Sequence, residues 1–445
     1  MEILKYVSIL QAQVEDVWKY HRHPLSIVRG IPPQENCQVT FLEKTLNNDK
    51  IAFTFLKRFF IRKWVFERLF RDHSILGKQL QGPFVSFEHH IKIEQKGASV
   101  TEVIDEVHYQ LPPIVGWLFQ GYIKKTLLKL FNYRHLVLKK DLEKLALYRD
   151  KKPLKIALSG STGFVGSHIK TVLQLFGHEV YALVRKRPQH SHEIFWDPEK
   201  KKITASDLEG LDVCIHLGGA SIAAPFWTAK KKASIYKSRI ESTRFLVETL
   251  NTLTKPPHVF LSASAMGFYG NRPEEKVDEH ASRGHGFLAH VTKDWEKEAH
   301  HFKGRVVCLR FGLILGWGGL LKKVLPLYKW GLGACIGTGK EKISWIAVDD
   351  VAYHLLQAIY DKSLSHEVNF VSPYSVTSRE FSTLLAKHLH RPLFFKLPAW
   401  LIKIIFQEMG KELLLADVDV HPQKLLNVGA VFAYLHLDDV FSLMF

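Results

Sequence analysis

Cysteine is scarce in this 445-residue chain: there are four, Cys37, Cys214, Cys308 and Cys335, far apart and without a C-x-x-C pair. That excludes a disulfide scaffold of the secreted kind and fits a reducing compartment, so a cytoplasmic location is expected. No run of about 18 apolar residues occurs, the minimum for a membrane-spanning helix. The start, Met1-Glu2-Ile3-Leu4-Lys5, lacks the basic segment and apolar core of a signal peptide. A soluble chain with at most peripheral membrane contact is expected. Acidic residues are in deficit too: 44 Asp and Glu stand against 61 Lys and Arg, a formal charge of +17. The excess selects anionic partners, whether nucleic acid, lipid surface or phosphorylated small molecule, without choosing among them. No internal repeat or low-complexity tract is visible, and 46% hydrophobic with 24% charged residues is globular composition.

At a prior of about 150 residues per domain, the length predicts two or three compact units. The clearest seam is the charged stretch from Leu147 to Pro153, which places a boundary near residue 150. Before it, β-branched and aromatic runs (39–42, 51–56, 64–70, 84–93, 99–109) alternate with turns, and an amphipathic pattern spans 115–147. This predicts an α+β unit, a curved antiparallel sheet folded over a C-terminal helix. After the seam, apolar strands at 156–159, 179–184, 212–217 and 258–262 alternate with helical stretches at 165–176 and 229–250. That is the rhythm of a doubly wound parallel α/β sheet.

The most informative motif follows the first of these strands: Gly160-Ser161-Thr162-Gly163-Phe164-Val165-Gly166, running into a helix. Gly160 permits a tight turn, Gly163 lets backbone N–H groups reach a pyrophosphate, and Gly166 lets helix and strand pack closely. The G-x-x-G-x-x-G spacing is that of short-chain dehydrogenases. The next strand ends on Arg185-Lys186-Arg187, where an NAD enzyme would carry an acid against the ribose 2′-hydroxyl. A cationic cluster there suits a 2′-phosphate and favours NADP(H); the alternative is a solvated basic loop.

With these residues, the chain from about Lys155 onward resembles the epimerase-family atypical, or extended, short-chain dehydrogenase/reductases of the sugar-nucleotide-epimerase-like group. The resemblance rests on Gly160–Gly166, His216–Ser221, Trp227-Thr228, Ser238–Arg244, Ser262–Gly270, Phe287–Trp295, Arg310–Gly316, Gly331–Gly333 and Ser344–Asp350. Pro392, Pro398 and His421–Leu426 resemble that group's small C-terminal domain of unknown function. Pro24, Trp64, Gly82-Pro83-Phe84, Tyr109–Pro113 and Tyr133-Arg134-His135 resemble the SRPBCC, or START-like, helix-grip modules that precede the reductase domain in some members. The implied division is a helix-grip domain over 1–150, an NAD(P)-binding Rossmann domain over 151–388 and the C-terminal domain over 389–445.

The resemblance implies cofactor contacts from Leu217, Gly218, Gly219, Arg239, Ser262 and Arg310, besides the glycine turn, Arg185 and Lys186. By charge pattern alone Arg239 reads equally as a surface residue among Lys230, Lys231, Lys232 and Lys237. It also implies a Ser or Thr holding the substrate oxygen, a Tyr acid/base and a Lys four residues later. Ser264 falls at the hydroxyl position and Lys293 at the Lys position, but Ala289 stands where the Tyr belongs. Tyr269 is the nearest substitute; it reads either as an acid/base beside Lys293 or as a packing residue. His216 replaces an Asn common in relatives, and Asp349-Asp350 reads as a helix N-cap.

No metal site is expected, since His89-His90, His190/His192 and His300-His301 make no helical i, i+4 pair with a nearby acid. The basic aromatic stretch 57–64 reads as strands with alternating faces rather than a nucleic-acid surface. Three functions follow: an NADP(H)-dependent oxidoreductase or epimerase-like enzyme, a non-catalytic NADP sensor, or a hydrophobic-ligand carrier through the N-terminal unit. The expected partners are a small-molecule substrate, hydrophobic or a sugar nucleotide, and a second copy in a homodimer; no nucleic acid is expected.

Overall fold

A computed structural model describes every residue except 36, 46, 58 and 59, and gives 56, 57 and 60–62 as backbone only. The chain divides into two compact units, Met1–Lys151 and Lys152–Phe445.

The first unit runs β1 (Glu2–Leu10), α1 (Val14–Arg22), α2 (Pro24–Arg29), β2 (Cys37–Lys44), β3 (Asn48–Lys57), β4 (Phe60–Arg71), β5 (Ser74–Gln81), β6 (Ser86–Gly97), β7 (Val100–Gln110) and α3 (Pro113–Ala146). Its strands form one antiparallel sheet in the order β1-β7-β6-β5-β4-β3-β2. The two-residue alternation that predicts strands is literal in β7, where Thr101, Val103, Asp105, Val107 and Tyr109 are buried and the residues between them are not. Leu127 and Phe131 of the 34-residue α3 join Leu4, Phe66, Phe87, Val107 and Tyr109 in one apolar cluster. Of the stretch 57–64, only Lys63, exposed, and Trp64, half-buried, have described side chains. The reading of alternating faces there lies otherwise outside the described residues.

Two buried ionic groups interrupt this apolar interior. Asp141 of α3 accepts both ends of the Arg29 guanidinium at 3.0 Å and the Tyr20 hydroxyl at 2.7 Å, which fastens α3 to α1 and α2. Asp105 is bonded by His89 and by His135, whose other ring nitrogen meets Ser8 Oγ at 2.7 Å. Burial alone would raise the Asp105 carboxyl, but Arg134, His89 and His135 hold it well below the usual carboxylate range.

The second unit contains β8 (Lys155–Ser159), α4 (Phe164–Leu175), β9 (Glu179–Val184), β10 (Glu193–Asp197), β11 (Lys202–Ile203), β12 (Val213–His216), α5 (Ala229–Leu250), β13 (Val259–Ala265), β14 (Arg272–Val277), α6 (Phe287–Ala299) and β15 (Arg305–Phe311). It continues through β16 (Leu313–Leu315), α7 (Gly319–Lys329), β17 (Ala334–Ile336), β18 (Lys342–Ile343), β19 (Trp345–Ala347), α8 (Val348–Tyr360) and β20 (His366–Phe370). It ends with β21 (Val376–Thr377), α9 (Ser378–His388), β22 (Phe395–Leu397), α10 (Ala399–Met409), β23 (Val418–Val420), α11 (Gln423–Asn427) and α12 (Leu437–Met444). The large sheet has the order β11-β10-β9-β8-β12-β13-β15-β20 and is parallel except for β11. The chain leaves β8 toward β9 on one side and returns to β12 on the other. Ligands of open α/β sheets bind at such a switch, beyond the carboxyl ends of the strands.

Asp349 and Asp350 do not cap α8: Ala347 is the N-cap, and the two acids lie in the first turn. Asp350 instead accepts backbone N–H groups of Ala433 and Tyr434, and Asp349 lies 2.7 Å from His168 Nε2, so the pair fixes the C-terminal segment and α4 against α8. Among the described residues, no helix is long and apolar enough to cross a membrane.

Asp105→Ala is expected to cost about 3 kcal/mol, because it leaves the His89 and His135 imidazoles without their hydrogen-bond acceptor and Arg134 without a nearby counter-charge. Asp72→Ala, at an exposed turn, should stay within about 0.5 kcal/mol. Urea unfolding of the full chain, followed for its first unit by hydrogen exchange, checks both.

Candidate functional site

The glycine turn sits at the switch point. Gly160 has φ +72° and lies against the backbone of Leu217, so a Cβ there would be strained and only 3.0 Å from that carbonyl. A Cβ on Gly166 would fall 2.2 Å from the Gly160 carbonyl oxygen, so helix and strand meet at a spacing only glycine permits. Gly163 is the N-cap of α4 and offers no side-chain cap, which leaves the first N–H groups of the helix to face solvent or an anion. Ser161 is buried and Thr162 exposed. Phe164 packs against Gly316 and Gly318, where a Cβ would come within 2.7 and 2.2 Å of its ring. The half-buried Val165 starts the helix beside it.

On the neighbouring strand, His216 is buried between Ser159 Oγ, 2.6 Å from Nδ1, and Ser242 Oγ, 3.3 Å from Nε2. Burial, reinforced by Arg239, pushes its imidazole down to about 4, so it is neutral at pH 7. Ser159 Oγ also accepts the N–H groups of Leu217 and Gly218, which shapes the loop alongside the glycine turn. Arg239 of α5 reaches under this loop: it donates to the Ala220 carbonyl at 3.0 Å, lies within van der Waals contact of Gly219 and stacks on Trp295 at 5.2 Å. It has no carboxylate partner among the described residues. Burial alone lowers its guanidinium to about 10, the signature of a cation set in place without a counter-charge. Arg185 and Lys186 extend beyond the end of β9 as exposed cations.

Other candidates are committed elsewhere. Arg310 is locked by Glu296 through two bonds of 2.7 and 2.8 Å, donates to the Tyr269 hydroxyl at 3.0 Å and lies 3.7 Å over the Phe268 ring. Buried, it donates through all three of its nitrogens to internal partners, and these commitments weigh against the expected cofactor contact. Tyr269 is 0% exposed and donates its proton to Asn369 Oδ1 at 2.7 Å. Burial pushes its phenol up to about 12 in spite of Arg310, so of the two readings, acid/base or packing residue, this environment favours packing. Ser264 gives its single proton to Glu296 at 2.5 Å and can only accept from a ligand. The Ser262 hydroxyl is buried against the Ala263 carbonyl.

Lys293 is exposed and joins none of these bonds, so Ser264, Tyr269 and Lys293 are not assembled into one group. The reason is helical phase. Leu288 and Thr292 approach Gly267, and Glu296 reaches Ser264, so the stripe of α6 facing β13 runs 288-292-296, and 293 lies about 100° off it. Sequence reasoning missed Glu296. An acid placed four and eight residues after Thr292 and Leu288 on an otherwise buried face was the available signal.

Two outcomes are expected. Glu296→Gln should destabilise the chain by about 3 to 5 kcal/mol in urea unfolding, since Arg310 stays buried without a counter-charge. Acidification should also destabilise it. Between pH 6.5 and 4 the unfolded chain binds protons at His216 and His178, both held at about 4 when folded. Stability then falls as pH drops, by about 1.4 kcal/mol per pH unit and imidazole. His216→Asn should flatten that slope in unfolding measured at pH 7 and pH 5.

Residues 156–370 match the NAD dependent epimerase/dehydratase family, and residues 397–442 match a domain of unknown function, DUF1731. The epimerase family protein Mb2239 of Mycobacterium bovis is 35% identical over 283 residues, 62% of this chain and 93% of the relative. The human epimerase family protein SDR39U1 is 29% identical over 290 residues, 64% of this chain and 97% of its own. Among solved structures, the nucleoside-diphosphate sugar epimerase from Corynebacterium glutamicum superposes with a TM-score of 0.81 at 27% identity, covering 99% of this chain and 90% of that one. Human SDR39U1 with NADPH gives 0.60 at 27% identity, over 65% of this chain and 98% of that one. MoeE5 in complex with UDP-glucuronic acid and NAD gives 0.53 at 18% identity over 65% and 96%, a likeness of fold alone. With a Rossmann-like NAD(P)-binding fold carrying a C-terminal DUF1731 domain, this chain belongs to the epimerase family.

Proposed function

We propose that the chain binds NADP(H) and acts as an oxidoreductase or epimerase-like enzyme on a small molecule. One observation carries this reading: the Arg239 guanidinium, hydrogen-bonded to backbone carbonyls but with no carboxylate partner among the described residues, lies beneath a loop that abuts the glycine turn, so a cation without a counter-charge and uncapped helix N–H groups stand at the switch point. A pyrophosphate satisfies both. In this reading Gly160 to Gly166, Leu217, Gly218, Gly219 and Arg239 hold the dinucleotide, and Arg185 with Lys186 meets a 2′-phosphate. The NADPH bound by human SDR39U1 supports the phosphorylated form. Bound there, the cofactor supplies a hydride; the chain's own residues position it and keep the pocket floor dry. A sugar nucleotide is the substrate class suggested by the name of the Corynebacterium relative.

A second reading, a cofactor sensor without turnover, is favoured by one observation: the hydroxyl protons of Tyr269 and Ser264 are both given to internal partners. For the first unit we propose the helix-grip reading over residues 1–150, followed by the Rossmann domain over 151–388 and the C-terminal domain over 389–445. The supporting features are the seven-stranded antiparallel sheet and the long closing helix, and the ligand class would be hydrophobic.

NADPH should raise the melting temperature and bind at least about tenfold more tightly than NADH, the difference made by charge-assisted bonds to one phosphate. Arg185→Ala should abolish the preference while keeping dinucleotide binding, and Arg239→Met should weaken both cofactors. Stabilisation by NADH but not NADPH contradicts the reading. NADPH oxidation with a carbonyl or sugar-nucleotide substrate removes the sensor alternative.

A further inference from the structure

Three side chains that the cofactor reading does not use converge from three elements. Cys308 of β15 and Glu367 of β20 are direct partners in parallel register, so their side chains emerge on one face of the sheet. His300, the C-cap of α6, brings its Nε2 to 2.8 Å from the Glu367 carboxylate and 3.9 Å from Cys308 Sγ. One ligand atom from each residue lies within 4.8 Å of the other two. A tetrahedral zinc ion with bonds of about 2.0 to 2.3 Å keeps its ligand atoms roughly 3.5 Å apart, so small side-chain adjustments bring all three to bonding distance.

We propose that His300, Cys308 and Glu367 form a binding site for a zinc-class divalent cation, with a water in the fourth position. The donor set selects the metal: thiolate and imidazole suit zinc, whereas magnesium and calcium require oxygen ligands. Charge selects it as well, because thiolate and carboxylate together offset a divalent ion. The thiol is buried while His300 and Glu367 are partly open, so an ion enters from solvent and closes over the sulfur. Without the ion, burial raises the Cys308 thiol well above its ordinary value, and coordination displaces that proton. The ion would clip the edge strand β20 to β15 and to the end of α6, one helical turn beyond Glu296. A spacing pattern does not reveal such a site, since its ligands lie 8 and 59 positions apart along the chain.

The full chain, stripped with a chelator and titrated with Co(II), tests this. One equivalent should bind with a near-ultraviolet thiolate-to-cobalt charge-transfer band and the visible bands of a tetrahedral ion, and Zn(II) should displace it. Cys308→Ser should abolish the charge-transfer band, Cys335→Ser should leave it, and Glu367→Gln, at a partly exposed position, should weaken cobalt at least about tenfold. Absence of the band in the unmutated chain, or its survival in Cys308→Ser, overturns the proposal. The trio is then an ion pair beside an inert thiol. Because the unmutated chain decides the first point, a variant that fails to fold does not rescue the proposal.

Discussion

The buried pair of Glu296 and Arg310 is the constraint on which the second unit turns. Two bonds of 2.7 and 2.8 Å join α6 to β15, and every remaining polar atom of the pair is used to recruit another element. Ser264 brings in the end of β13, and Tyr269, through Asn369 and the His421 carbonyl, brings in β20 and the C-terminal segment. A buried ion pair is weak evidence for net stability, because desolvation offsets much of its attraction. Its consequence here is geometric. The chain of bonds from Ser264 to His421 holds the ends of β13, β15 and β20 in one arrangement, and the hydroxyl protons of Ser264 and Tyr269 are both given to partners within it.

That arrangement contrasts with the neighbouring half of the site. Around the glycine turn, the first N–H groups of α4 have no side-chain cap, and Arg239 donates to backbone carbonyls with no acid beside it among the described residues. Close by, Ser264, Tyr269 and Arg310 all donate to internal partners. Unsatisfied cationic and N–H groups at a switch point bind anions, whereas saturated networks hold shape. On the proposed reading, the first region receives the dinucleotide and the second supports it.

The glycine turn was legible in the sequence because its physics is local. Three glycines at fixed spacing after an apolar strand, and a helix starting at once, dictate backbone geometry within about ten residues. The arrangement around Ser264 was not. Extending the Ser, Tyr and Lys pattern onto Ser264, Tyr269 and Lys293 depends on which face of α6 meets β13, and the stripe through Leu288, Thr292 and Glu296 leaves Lys293 outside. Arg310 likewise carried no sign of its partner, 14 residues away on another element. Asp349 and Asp350 looked like a cap because they open a helix, yet distant groups claim their oxygens.

The sequence by itself determined the scarcity of cysteine, the excess of cations, the βαβ rhythm and the turn from Gly160 to Gly166. Each is a property of composition or of neighbours in the chain. Only the tertiary structure decided what surrounds each cysteine: Cys214 and Cys308 lie in one buried cluster and Cys335 packs beside Gly339, but of these three only Cys308 also meets a histidine and a carboxylate, His300 and Glu367. The reason is that parallel strands align residues by hydrogen-bond register rather than by chain distance, so residues 308 and 367 become neighbours only when β15 and β20 pair.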